Sequence, residues 1–217
     1  MSAQLVAPLL PGRADVLTEI LRAGSATTTV ATRVLSEGDL VAHGVVILGT
    51  ARVGQQMPDE GGGSASPPPE LAAGPYGLPV LPAGPPAPEF LTQLELWSTA
   101  GLPFSGSAGN ETCGWLQPLA PVSAVDAALL VALADTWWVA VMSRMTRPRP
   151  AATVGFTCEV TGDPATVQIG SDGRLEPLYH RGRLIAAREG YSVETRELWT
   201  AAGQLLTWNT QTVVVIK

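Results

Sequence analysis

Residues 123–144 read SAVDAALLVALADTWWVAVMSR, and this stretch decides the fold. It is the one clearly helical stretch of the chain. Ser123 stands in an N-cap position, and Asp126, three residues on, completes a box-like start. From Ala127 to Met142 the stretch is apolar on every face, the pattern of a helix buried on all sides. It is too short for a membrane span: the unbroken apolar run Ala127–Ala134 falls well below the ~20 residues a span needs. Asp135 ends that run. Its neighbours one turn away, Val131, Ala132, Trp138 and Val139, carry no positive charge. Burying a carboxylate without partners costs several kcal/mol or more. Asp135 therefore faces a polar cavity, or has a raised pKa, or meets hydrogen-bond donors from elsewhere in the fold. Each alternative marks a candidate functional site; the plainer reading is a carboxylate satisfied by capping or by a core network.

Composition narrows the classes. With 46% hydrophobic and 15% charged residues, the 217-residue chain is globular rather than disordered, of a size for one large or two small domains. A net charge of −6 offers no electrostatic footprint for nucleic acid, so no nucleic-acid partner is expected. The start has no basic region of the kind that opens a signal peptide. The two cysteines, Cys113 and Cys158, form no metal-ligand pattern, and free thiols in the cytoplasm are the expectation. No metal and no cofactor are expected.

Outward from the helix, the flanks are rich in strand formers. Residues 14–50 read as three strands divided by Ala23-Gly24-Ser25 and by Glu37-Gly38, the latter a tight hairpin, with a short strand before them at about 3–9. Residues 53–90 are dense in Gly and Pro and have no period, which predicts a linker, mostly extended or disordered. Order returns with strands at 92–98 and 111–116 ahead of the helix. After it come strands at about 152–160, 165–169, 175–184, 190–200 and 204–216. The arginines Arg144, Arg147 and Arg149 suit the negative end of the helix dipole, and a ligand's phosphates are an alternative partner for them. The halves also repeat: Gly12 falls on Gly162, and the strand–Gly24–strand–Gly38–strand order falls on strand–Gly190–strand–Gly203–strand. A repeat of that length implies two similar units, an incomplete first unit at 1–52 and a complete one at 91–217. The overall class is α+β.

Familiar catalytic constellations are missing. No G-x-S-x-G elbow, H-E-x-x-H, C-x-x-C or G-x-G-x-x-G occurs. Of the two histidines, His43 lies mid-strand as a packed or edge residue, and His180, beside Arg181, is expected to face solvent. What remains is polar residues on apolar elements: Asp135; Thr153, on a strand face that alternates as Thr153, Gly155, Thr157, Glu159; and Gln211, just before the apolar run 213–216. Taken alone, Thr153 reads as an ordinary strand former and Gln211 as a solvent-side residue.

The second half, through DAALLVALADTWW, ATVGFTCEV, EGYSVETRELWTAAGQLL and TWNTQTVVV, resembles the acyl-CoA thioesterase II-like, double-hotdog thioesterases; Met1 to Gly49 resembles the later strands of a first unit. The resemblance implies a hotdog fold: two units, each an antiparallel sheet wrapped round a long central helix, the first lacking its leading strand and helix. That implies either truncation of the chain or a second chain covering the sheet. It implies hydrolysis of acyl-CoA or a similar acyl thioester, with the family's Asp, Thr and Gln falling on Asp135, Thr153 and Gln211. Asp135 would act as base or orient the water, its apolar surroundings moving its pKa toward the working pH, while Thr153 and Gln211 hold the water. Trp138, Met142 and Phe156, with Trp137, are the expected pocket lining, and a homo-oligomer is expected. The alternative is a non-catalytic hotdog protein that binds acyl chains or serves in an assembly. A hotdog hydratase is disfavoured because no histidine lies near Asp135 in sequence.

Overall fold

The structure is a computed structural model that describes residues 1–50, 52, 66–84 and 87–216. Among the described residues, ten strands form one antiparallel sheet. In chain order they are β1 Ser2–Leu5, β2 Asp15–Ala23, β3 Thr27–Ser36, β4 Asp39–Gly49, β5 Leu94–Ala100, β6 Glu111–Pro118, β7 Ala151–Val160, β8 Leu178–Arg188, β9 Tyr191–Trp199 and β10 Leu205–Val215. Their order across the sheet is β2-β3-β4-β1-β7-β10-β9-β8-β6-β5. The run β2-β3-β4-β1 is repeated as β8-β9-β10-β7, so the glycine repeat of the sequence is a repeat of topology. The two copies meet edge to edge, Ser2 opposite Thr157 and Ala3 opposite Phe156. Glu37-Gly38 and Glu189-Gly190 each close a two-residue hairpin with φ positive at both positions, the geometry whose twist matches the strands it joins.

The central stretch is not one long helix. It forms α1, Ala127–Ala134, and α2, Val141–Arg144, with Asp135 at the end of the first. The N-cap is Asp126 rather than Ser123: its Oδ1 accepts the Leu129 N–H at 2.8 Å. The interruption has a tertiary cause. The N–H of Ala140, which a continuous helix would give to the carbonyl of Thr136, goes instead to Glu194 Oε2 at 2.6 Å. The two indoles between them are anchored in different directions, Trp137 Nε1 to Thr112 Oγ1 at 2.7 Å and Trp138 Nε1 to the Gly101 carbonyl at 2.8 Å.

The main core lies between α1 and the sheet of β6–β10, where Leu130, Leu133 and Trp137 pack on Leu116, Leu178, Leu198 and Leu206. The opposite face of that sheet is also covered. Trp115, Tyr179 and Trp199 stand in one row across β6, β8 and β9, and Leu71 and Leu78 pack on them. The Gly/Pro-rich stretch is therefore not extended throughout. Residues 66–84 include a 3-10 turn at Pro69–Ala73 and dock on the sheet, and a second such turn spans Glu89–Gln93; residues 53–65 and 85–86 of that expectation lie outside the described residues. The strand expected at 165–169 is a 3-10 turn, Pro164–Thr166, followed by a single bridge from Ile169 to Leu175. Facing α1, β1–β4 lack an equivalent helix among the described residues, and Val16, Ile20 and Ile47 are more than half exposed.

Candidate active site

Three of the elements just described bring Asp135, Thr153 and Gln211 together. Asp135 sits where α1 ends, and its side chain is 49% exposed. Gln211 lies mid-β10, fully buried, opposite Phe156 of β7 on one side and Glu194 of β9 on the other. Side chains directly opposite in a sheet share a face, so Gln211 points to α1, not to solvent. Thr153 reaches the same face by an irregularity. Gly155 pairs with Thr212 and Thr153 with Val213, which leaves Val154 as an extra residue in β7. A one-residue bulge reverses the facing of every residue beyond it. Thr153 thus leaves the face of Gly155 and Thr157 expected from alternation and joins that of Phe156 and Gln211.

The three groups form a relay. The Thr153 hydroxyl donates to Gln211 Oε1 at 2.9 Å, and Gln211 Nε2 donates to Asp135 Oδ1 at 2.6 Å. The surroundings of Asp135 are not apolar, because a cation reaches it from β9: Arg196 Nη1 donates to the same Oδ1 at 3.1 Å. The guanidinium is 2% exposed and is held in turn by Glu194, fully buried, at 2.6 Å from Nε to Oε1. Among the described residues, both bonds to the Asp135 carboxylate fall on Oδ1. Of the alternatives open for this residue, the structure realises donors from elsewhere in the fold.

Arg196 and Glu194 escape sequence reasoning. The signal available was two charged residues at period-two spacing in a strand, Glu194 and Arg196, with apolar Leu198 two further on the same face; that pattern also fits a solvated strand. His180 was expected in solvent and is fully buried. Arg181 takes the opposite face of β8, which turns His180 toward α1, where its ring stacks on Trp137 at 5.2 Å between centroids. Burial pushes the His180 pKa down, and the Arg196 charge pushes it the same way. Both thiols are free and buried. Burial, aided by Glu111, raises that of Cys113 to about 12, and burial raises that of Cys158 to about 11, so neither is a ready nucleophile.

The expected lining residues lie on three elements or connections around α1. Phe156 packs with Ala134 and Cys158. Trp138 is half-buried and stacks on Trp137 at 4.3 Å, and Met142 is half-buried in α2. A groove of about 870 Å³ opens along α1, walled by Val46, Ile47, Leu48, Val131 and Val160. Ala127 and Val131, which line it, are spaced one turn apart, and Asp135 lies one turn further along the same helix face. Arg144, Arg147 and Arg149 are exposed. Among the described residues there is no cluster of His, Cys, Asp and Glu suited to a metal ion, and no helix long and apolar enough to cross a membrane.

Comparison with known proteins follows the same lines. The model of the acyl-CoA thioesterase C-terminal domain matches residues 65–215. No curated protein sequence matches the chain. A hotdog-fold protein of unknown function from Alicyclobacillus acidocaldarius superposes with a TM-score of 0.77 at 24% identity, covering 100% of this chain and 77% of its own. An acyl-CoA thioesterase II from Mycobacterium marinum superposes with a TM-score of 0.66 at 15% identity, covering 99% and 78%. At these identities the likeness establishes the hotdog fold.

Proposed function

The chain belongs to the acyl-CoA thioesterase C-terminal domain family, and from that premise we propose that it hydrolyses acyl-CoA-type thioesters with a water positioned by Asp135 and, through it, by Gln211 and Thr153. One observation carries the reading: the Thr153–Gln211–Asp135 relay, drawn from β7, β10 and the end of α1, terminates in a carboxylate open to solvent. Thioester hydrolysis is the chemistry of the family; the substrate and the residue roles are ours.

The steps follow from the geometry. With Oδ1 held by Gln211 and Arg196, Oδ2 of Asp135 is left to accept a proton from water as that water attacks the thioester carbonyl carbon. The Thr153 hydroxyl fixes the Gln211 amide, whose Nε2 can then hold only one side of the carboxylate. The tetrahedral intermediate collapses by breaking the C–S bond, and the departing thiolate takes the proton back from Asp135. Fatty acid and free thiol leave, and the carboxylate is restored. The apolar groove along α1 suits the acyl chain, because Asp135 lies one turn beyond Val131 on the same helix face. Exposed apolar side chains on β2 and β4 support the homo-oligomer in this reading, and the buried free thiols support a reducing, cytoplasmic setting.

The test is thiol release from acetyl-, octanoyl- and palmitoyl-CoA, with Asp135→Asn alongside. Hydrolysis that the variant loses while its fold and ligand binding persist supports the reading, and the chain-length profile sizes the groove. A folded wild type that binds acyl-CoA without hydrolysing it supports the non-catalytic alternative.

A further inference from the structure

Two buried charges beside Asp135 touch neither the water nor the thioester in the steps above. Glu194 and Arg196 stand two apart on β9, on the face turned to α1, with side chains 0% and 2% exposed. A buried ion pair is a poor device for stability alone, since well-packed apolar side chains of similar volume serve as well or better. The position of this pair points elsewhere. Arg196 grips Asp135 at Oδ1, and Glu194 Oε2 accepts the N–H of Ala140. The two contacts therefore hold both ends of the interrupted segment, Asp135 to Ala140, against one strand. Arg196 also binds Glu194 directly, so the two grips are mechanically one.

We propose that Arg196 and Glu194 are positioning residues for hydrolysis: they fix the Asp135 carboxylate with Oδ1 turned into the sheet and Oδ2 turned out to the attacking water. The inference rests on the function proposed above. Arg196 is shared by two carboxylates, Asp135 and Glu194, and its other charged-capable neighbour, His180 of β8, is held neutral by burial and by Arg196 itself. Replacing Arg196 by Gln therefore loosens the carboxylate. Glu194→Gln keeps an acceptor for Ala140 but turns an amide donor toward the guanidinium, so its effect is smaller. A base displaced by about 1 Å lowers the rate of the chemical step more than it lowers binding, and such misplacement costs about 100-fold.

The experiment measures kcat, KM and melting temperature of the full chain with octanoyl-CoA for wild type, Asp135→Asn, Arg196→Gln, Arg196→Lys and Glu194→Gln. The expected result is a kcat about 100-fold lower in Arg196→Gln and about tenfold lower in Glu194→Gln, with KM within about threefold of wild type. Arg196→Lys, which keeps the cation, falls between wild type and Arg196→Gln. If Arg196→Gln does not fold, Arg196→Lys and Glu194→Gln decide: lowered kcat at an unchanged melting temperature supports the proposal. Wild-type kcat in the folded Arg196 and Glu194 variants, or a change in KM alone, overturns it while inactivity of Asp135→Asn leaves the catalytic reading standing. Full activity of Asp135→Asn brings down the catalytic reading and this inference together.

Discussion

The two copies of the four-strand motif share an order of strands and turn glycines, yet only one builds a polar network. Alignment on Gly38 and Gly203 sets Val46 against Gln211, and the cross-strand register then sets Val30 against Glu194 and Thr32 against Arg196. In the second copy the charged and amide groups face α1 and are satisfied by Asp135 and the Ala140 N–H. The first copy has no helix of its own among the described residues, only a groove between β4 and α1, and an Arg–Glu pair there would have no broken segment to hold. Topology is thus common to both copies, while the chemistry depends on a helix that stops at the right residue. Hotdog architecture supplies a sheet and a covering helix; the site comes from where that helix is broken.

The contrast in packing predicts the largest difference. Leu130 is fully buried between α1 and the sheet, whereas Ile20 on β2 is 64% exposed. Leu130→Ala is expected to cost about 2–5 kcal/mol in urea unfolding, and Ile20→Ala about 0.5 kcal/mol or less at concentrations where the chain is monomeric. A cost for Ile20→Ala that approaches that of Leu130→Ala would mean the β1–β4 face is covered in solution, and sedimentation velocity would then report an oligomer.

The next effect concerns the bulge, which lies in β7 where β7 pairs with β10. Deletion of Val154 restores regular pairing and leaves Thr153 opposite Val213, on the inner face with Gln211. Hydrolysis is expected to fall about 10- to 100-fold in Thr153→Val, where the Gln211 amide loses the hydroxyl that orients it, and to be retained in the deletion variant, which keeps that hydroxyl on the inner face. A folded Thr153→Val variant that keeps full activity would show that the Thr153 hydroxyl is dispensable.

The smallest effect comes from His180. Its folded-state pKa is depressed by burial first and by Arg196 second. The unfolded chain binds a proton near the ordinary value of about 6.5, and the folded chain does not. Stability is therefore intact above that value and falls as the pH drops below it, by at most about 1.4 kcal/mol per pH unit from this residue. Melting temperatures between pH 7 and pH 5 should decline less steeply in His180→Phe than in wild type.

How far these features are legible in the sequence depends on the range of the interactions behind them. Asp135 stands out because it interrupts an apolar run, and the family resemblance supplies Thr153 and Gln211 on their elements. The turn glycines reveal the repeat because hairpin geometry is local. The break in the helix is not local: the acceptor that draws off the Ala140 N–H is 54 residues away. Arg196 and Glu194 are hidden for the same reason, since their meaning lies in a partner on α1. Thr153 is placed on the wrong face by strict alternation because one extra residue changes the parity of a strand, and nothing in Thr-Val-Gly marks the bulge. The Gly/Pro-rich stretch misleads in part, for Leu71 and Leu78 are single apolar residues without period that nonetheless cover a row of aromatics.

The most direct measurement is a double-mutant cycle between Asp135 and Gln211, with kcat/KM for octanoyl-CoA determined for wild type, Asp135→Asn, Gln211→Ala and the double variant. Residues that act as one unit on one water lose their joint contribution when either is removed. The expected result is a double variant no slower than Asp135→Asn alone. Losses that multiply, so that the double variant falls by the product of the two single effects, would contradict a shared role and separate Gln211 from the chemistry at Asp135.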